Sequence, residues 1–280
     1  MAANGKKGVH LREFGAFVAK EAASASFALG IFLCLGITKL IHIPGLPRYD
    51  LVFTLCVGIQ LVMVRFKWES LEELKMIFLF HVLGLGLEIY KVAHGSWAYP
   101  EPGYLKLGNV PLYSGFMYSS IGSYICQAFR RFDLKIFKSP PLWASLSLAA
   151  LIYLNFFTNA VLPDARWLLT ASVFVVYFRT WVDFECFERR YRMPLSLSFL
   201  AMAFFIWIAE NIVSRFQGYR YPYQQEGWAM VHGSKIGSWF LLVILSYVAT
   251  EWAQVRSKFK IEPSRENPTD EKSLTGRNSP

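Results

Sequence analysis

Glu88 and Glu210 stand near the ends of two long apolar runs, 122 residues apart. An ionisable group inside a membrane span costs about 2.5–3.5 kcal/mol on insertion scales, so each needs a reason to be there. Two carboxyls in one dry pocket repel each other and lose hydration, which favours their protonated forms. A protonated carboxylic acid facing a lipophilic substrate is a general acid. The expected chemistry is therefore acid/base catalysis by Glu88 and Glu210. At 3.6 residues per turn, His81 and Gly84 share the helical face of Glu88, while Trp207, Asn211 and Ser214 share that of Glu210. Beyond each Glu runs an aromatic loop, Gly95-Ser96-Trp97-Ala98-Tyr99-Pro100 after the first and Gly218-Tyr219-Arg220-Tyr221-Pro222 after the second. His94, His232 and Lys235 fall close to these loops in sequence. Substrate contacts are expected from His81, His94, Trp97, Tyr99, Trp207, Asn211, Tyr221, His232 and Lys235. A second reading makes both carboxylates structural, Glu88 pairing with Lys91 and Glu210 with Arg215 or Lys235. Glu88, Glu210, His94 and His232 lack the short spacing of a metal site. No metal and no cofactor is expected, and Lys235 lies too near its helix entrance for a Schiff base.

The elements that must position these residues are apolar. Of the 280 residues 54% are hydrophobic and 18% charged, with a mean hydropathy of +0.31. Soluble domains carry about 45–50% apolar and about 25% charged residues. Eight segments approach the roughly 20 apolar residues of a spanning helix: 22–43, 49–66, 74–93, 110–128, 141–161, 165–182, 193–214 and 232–253. Counted against those segments, 21 of the 29 Lys and Arg fall on one side, which predicts that both termini are cytoplasmic. The basic excess of +9 then reflects topology and lipid contact, not nucleic acid. Residues 9–21 read as a short amphipathic helix on the membrane surface, and 255–280 as a flexible tail. The expected architecture is one all-α polytopic domain over 1–254, multi-pass in the bacterial inner membrane. Cys34, Cys56, Cys126 and Cys186 form no C-x-x-C pair and read as small buried hydrophobes.

The two Glu-plus-loop segments suggest duplication. Leu46-Pro47-Arg48 echoes Leu162-Pro163-Asp164 at an offset of 116 residues, close to the 122 between the glutamates. Four expected spans separate the copies, so the halves 22–128 and 141–253 would form a parallel 4+4 repeat about the membrane normal, with a pocket between them.

The run LEIYKVAHGSWAYPEPGYLKLGNVPLYSGFMYSSIGSYICQAFRR, with IYLNFFTNAVLPDARW, FFIWIAENI and WAMVHGSKIGSWFLLVILSY, resembles the YoaT-like family of bacterial integral membrane proteins. That family is a domain of unknown function, so the resemblance implies a membrane location and no reaction. A looser likeness holds to the lycopene cyclase and carotenoid hydratase group, through Glu88, Gly95, Tyr99 and Val110-Pro111-Leu112. The cyclases' Pro-Glu-x-x-x-Phe-Phe motif is absent, since Glu88 follows Leu87 and Glu210 follows Ala209. The leading expectation is a membrane-embedded acid/base enzyme acting on a lipophilic, isoprenoid-like molecule. Its alternatives are a small-solute or proton-coupled transporter and a membrane scaffold without catalysis. Membrane lipids and a lipophilic small molecule are the expected partners.

Overall fold

The computed structural model describes residues 2–159, 161–187 and 189–257, with side chains over 12–252 except 160 and 188. The described helices are α1 (Ala2–Ser24), α2 (Ser26–Ile37), α3 (Arg48–Arg65), α4 (Leu71–Ala93), α5 (Ser114–Arg131), α6 (Leu142–Thr158), α7 (Arg166–Val176), α8 (Leu195–Arg215) and α9 (Lys235–Ser257). Strands β1 (Lys106–Leu107) and β2 (Val110–Pro111) form a hairpin before α5. Strands β3 (Lys135–Phe137), β4 (Trp181–Cys186) and β5 (Arg189–Pro194) form an antiparallel sheet in that order.

Local chemistry sets the helix boundaries. Pro47, Pro141 and Pro194 precede α3, α6 and α8 with ψ of 144°, 139° and 134°, an extended approach that the helix cannot extend backwards through. At α4 the run Ser70-Leu71-Glu72-Glu73 forms a capping box. The Ser70 hydroxyl accepts the Glu73 N–H at 3.1 Å, and the Glu73 carboxylate accepts the Ser70 N–H at 2.6 Å. α4 ends at Gly95, whose φ of +71° lets the Ser96 N–H return to the Lys91 carbonyl at 3.0 Å. α8 ends in the same way at Gln217, φ +57°, with the Gly218 N–H on the Val213 carbonyl at 2.9 Å.

Two apolar clusters carry the packing. One joins α6, α7, α8 and α9 through Ile152, Val173, Phe199 and Leu241. The other joins α2, α3 and the loops beyond α4 and α8 through Phe27, Tyr49, Tyr113 and Tyr221. α4 lies along α5 at close range because glycines leave room: a Cβ on Gly84 would stand 2.3 Å from Tyr118, and one on Gly122 would stand 2.2 Å from Phe80. All four cysteines are free and buried.

The eight-span architecture is corrected. Among the described residues, α4 and α8 are long and apolar enough to cross a membrane; the pair Arg12–Ser24 and Ser26–Ile37, bent by 67°, makes a third if counted as one broken span. Residues 110–128 are spent partly on the β1–β2 hairpin, and the rest of α5 is rich in Ser, Gly and Tyr. α6 and α7 have 17 and 11 residues, too short alone. The segment 165–182 ends early, because the chain leaves α7 at Val176 and enters β4 at Trp181. α3 carries Arg48, Asp50 and Arg65. Cytoplasmic termini and a 4+4 spanning repeat were both counted from eight spans, and they fall with that number.

Polar networks resembling those of soluble domains explain the difference. Asp50 accepts the backbone N–H groups of Tyr104 and Leu105, Arg130 pairs with buried Glu73, and Arg48 binds Glu101 and the Leu35 and Phe216 carbonyls. The chain is membrane-associated with at least two apolar spans. Of the expected surface helix and tail, 9–21 lies within α1, 255–257 ends α9, and 258–280 is outside the described residues.

Candidate functional site: a carboxylate cage at the end of an apolar cavity

The two Gly-aromatic loops meet. The Ala98 N–H donates to the Arg220 carbonyl and the Arg220 N–H to the Ala98 carbonyl, both at 2.9 Å, which holds the ends of α4 and α8 together. Beneath this bridge each glutamate is caged by neutral donors. Glu88 accepts from Trp97 Nε1 at 2.6 Å, Tyr99 OH at 2.7 Å and Tyr118 OH at 2.8 Å. Glu210 accepts from Tyr221 OH at 2.5 Å and Trp239 Nε1 at 2.7 Å. The cages touch through their rings, Tyr118 on Trp239 at 6.3 Å and Trp97 on Tyr221 at 6.1 Å. Both carboxylates are buried, and indole and phenol donors replace the water they have lost.

Among the described residues, none of the nearby cations forms a salt bridge with either glutamate. Lys91 donates to the Asn159 side-chain oxygen at 2.7 Å, and the Arg215 guanidinium lies 5.6 Å from the Trp228 ring. The Lys235 ammonium lies between two aromatic faces, 5.1 Å from Trp97 and 4.7 Å from Tyr221. Asp164 pairs with Arg166 at 2.6 Å and accepts from Asn155. Partial burial works against the Asp164 anion, but the Asn155 and Arg166 hydrogen bonds outweigh it and hold the carboxyl below its usual range.

The cage closes one end of a cavity of about 1180 Å³. Its wall is mostly apolar, from Phe17 and Phe32 on α1 and α2, Met117 and Ile121 on α5, and Phe199, Met202 and Ile206 on α8. At the far end it reaches Phe132 and Phe184, beside the β3–β4–β5 sheet.

Residues 13–247 match the family described as "Protein of unknown function (DUF817)". The chain belongs to that family. Over 229 residues it is 52% identical to the uncharacterized protein YoaT of Bacillus subtilis (strain 168), covering 82% of this chain and 87% of the relative. Two crystal structures are distantly similar: the Insig homolog MvINS from Mycobacterium vanbaalenii, with a TM-score of 0.48, and a cross-linked MvINS trimer, with 0.47. Both are 13% identical and cover 67% of this chain and 96% of the solved one, a likeness that defines neither ligand nor partner here. The likeness to carotenoid-biosynthesis proteins finds no support in these matches.

Of the residues expected at the site, Glu88, Glu210, His94, Trp97, Tyr221 and Lys235 line the cavity. Tyr99 stands behind Glu88 as a donor. Trp207 and Asn211 secure the chain before α9: Trp207 Nε1 donates to the Val231 carbonyl at 3.0 Å, and the Asn211 oxygen accepts the Val231 N–H at 2.9 Å. His232 is exposed and packs on Tyr223. His81 points toward α5, its ring 4.6 Å from Phe116 and its Nδ1 buried without a partner. The ion-pair reading of the two glutamates does not hold either, since neither forms a salt bridge among the described residues.

The acid/base enzyme is corrected. Among the described residues no three or more His, Cys, Asp or Glu gather as a ligand set. Each carboxylate is instead held by indole and phenol donors, three on Glu88 and two on Glu210. The sequence reading missed Tyr118 and Trp239 as members of the two cages. No spacing along α5 or α9 marks them, because their partners lie on α4 and α8.

Proposed function

We propose that this protein is a multi-pass protein of the cell membrane that binds a lipophilic molecule without transforming it. The observation that carries this reading is the 1180 Å³ apolar cavity ending in a small polar cage. Binding pockets for organic molecules occupy about 300–1,000 Å³, with mostly apolar walls and a few convergent polar groups that fix orientation. Here Glu88 and Glu210 hold the Trp and Tyr rings that shape the polar end, a positioning role instead of a catalytic one. Of the alternatives weighed from the sequence, a scaffold without catalysis fits best, with its state set by an occupant.

The test is to purify the protein in mild detergent and identify by mass spectrometry what travels with it. A defined lipophilic species is expected with the native protein. It should be lost from an Ala209→Trp variant, in which an indole projects into the cavity beside Glu210. Equal amounts of the same species on both proteins would overturn the reading.

A further inference from the structure

Among the described residues, one cation at the cage has no hydrogen-bond acceptor. Glu88 and Glu210 already accept five hydrogen bonds between them. Lys91 donates to Asn159, and Arg166 to Asp164. Lys235 differs: its ammonium lies over Trp97 and Tyr221, lines the cavity, and has no hydrogen-bond acceptor among the described residues. An ammonium carries three N–H donors and no acceptor. Aromatic faces offset part of its lost hydration but leave those donors unused. An occupant that fills the cavity therefore meets a cation in want of an oxygen.

The charges at this end decide what kind of oxygen. Glu88, Glu210 and Asp164 line the cavity with Lys91, Lys235 and Arg166, while a fourth acid of the wall, Glu21 on α1, is held apart by the Tyr124 hydroxyl. At their formal charges these six groups, Glu21 aside, sum to zero. An anionic head group would leave one uncompensated negative charge in an apolar cavity beside two carboxylates, at a steep cost in desolvation and repulsion. An uncharged acceptor satisfies Lys235 and keeps the balance. We propose that the cage end of the cavity recognises an uncharged oxygen acceptor, the hydroxyl or ester carbonyl of a neutral lipid, through the Lys235 ammonium. The proposal rests on the cavity being a lipophilic site, and it adds the head-group class.

Four probes with the same eighteen-carbon chain separate the two ideas: oleyl alcohol, methyl oleate, oleyl sulfate and plain octadecene. Each is titrated into delipidated, detergent-solubilised protein, with tryptophan fluorescence as the readout. The alcohol and ester should bind about tenfold more tightly than octadecene, the gain of a hydrogen bond to a charged donor. They should also bind more tightly than the sulfate. Lys235→Met should abolish the advantage over octadecene, and Lys235→Arg, which keeps cation and donors, should preserve it. Sulfate binding as tightly as the alcohol, octadecene binding as tightly as either, or an undiminished advantage in Lys235→Met would overturn the head-group assignment while leaving the cavity reading intact. If no probe binds, the cavity reading itself fails. The head-group comparison on the native protein decides the matter even where a variant does not fold.

Discussion

Three donors converge on Glu88, and removing their acceptor strands them in an apolar setting. Each stranded donor costs about 1–3 kcal/mol. Glu88→Gln keeps one oxygen for Trp97 and Tyr99 and presents an amide to Tyr118, whose hydroxyl can turn to accept it. Glu88→Leu offers nothing to any of the three. The leucine variant should therefore melt well below the glutamine variant in detergent, by an amount matching at least one stranded donor; identical melting points would mean that the cage contributes nothing to folding. Asp164 gives a pH prediction with a definite sign. Its folded carboxyl lies below the ordinary value of 3.8, so its contribution is present above that value and is lost as pH falls through the folded one. Asp164→Asn should remove that acid-side loss. Melting curves of both proteins, compared as pH is lowered below about 4, check this. The carboxylates and their loop donors Trp97, Tyr99 and Tyr221 were legible in the sequence, because charge in an apolar run demands partners and the loops follow at once. Tyr118 and Trp239 were not. A donor on a neighbouring helix leaves no periodic trace beside the acceptor it serves.

Helix contacts in this fold turn on which glycines face a neighbour. α4 contains Gly84 and Gly86, alike in sequence and unlike in surroundings. A Cβ on Gly84 would meet Tyr118 at 2.3 Å, whereas one on Gly86 would meet nothing within 4 Å. Gly84→Ala should destabilise the protein by about 1–3 kcal/mol through overpacking, and should push Tyr118 away from Glu88. Gly86→Ala should stabilise α4 by up to about 1 kcal/mol through helix propensity alone. Thermal melts of the pair should move in opposite directions; a shared direction would refute the α4–α5 contact described. The two-residue spacing hides this distinction in the sequence, since the burial of either face depends on α5. The β3–β4–β5 sheet was hidden differently. Trp181-Val182-Asp183-Phe184-Glu185-Cys186 follows α7 so closely that its apolar members extended a helical reading, although the alternation Trp-Val-Asp-Phe-Glu also suits a strand. The capping box at Ser70 and the prolines before α3, α6 and α8 lie on the surface of the sequence, and the structure uses each as a helix start.

At the scale of the whole molecule the apolar surface exceeds what two spans require. Beyond α4 and α8, α6 exposes Trp143, Leu151 and Leu154, and α7 exposes Trp167, Leu168 and Val175. Exposed apolar residues of this kind are what a membrane-associated protein presents to its surroundings. Composition alone therefore pointed to membrane association, though not to eight spans. The number of spans was not readable, because short helices packed on polar networks carry as many apolar residues as helices that cross.

The interior poses the same question as the surface. The cavity passes between α5 on one side and α8 and α9 on the other, with α1 and α2 along a third wall. α8 packs along α9 but makes only sparse contact with α2, which packs instead on α3 and α5. An occupant would supply contacts between α2 and α8 that this pair lacks. A molecule that binds only the folded state stabilises it by about 2.7 kcal/mol at one hundred times its Kd. Melting temperature moves by about 2–4 °C per kcal/mol in domains of roughly 150–250 residues. Exhaustive detergent washing should therefore lower the melting temperature of the native protein by several degrees, and adding oleyl alcohol or methyl oleate should restore it. Ala209→Trp should start from a melting temperature insensitive to washing, because the indole occupies part of the space the occupant would fill. A native protein whose melting temperature ignores both washing and added lipid would show that the cavity stands empty without cost, and the binding role would have to be abandoned.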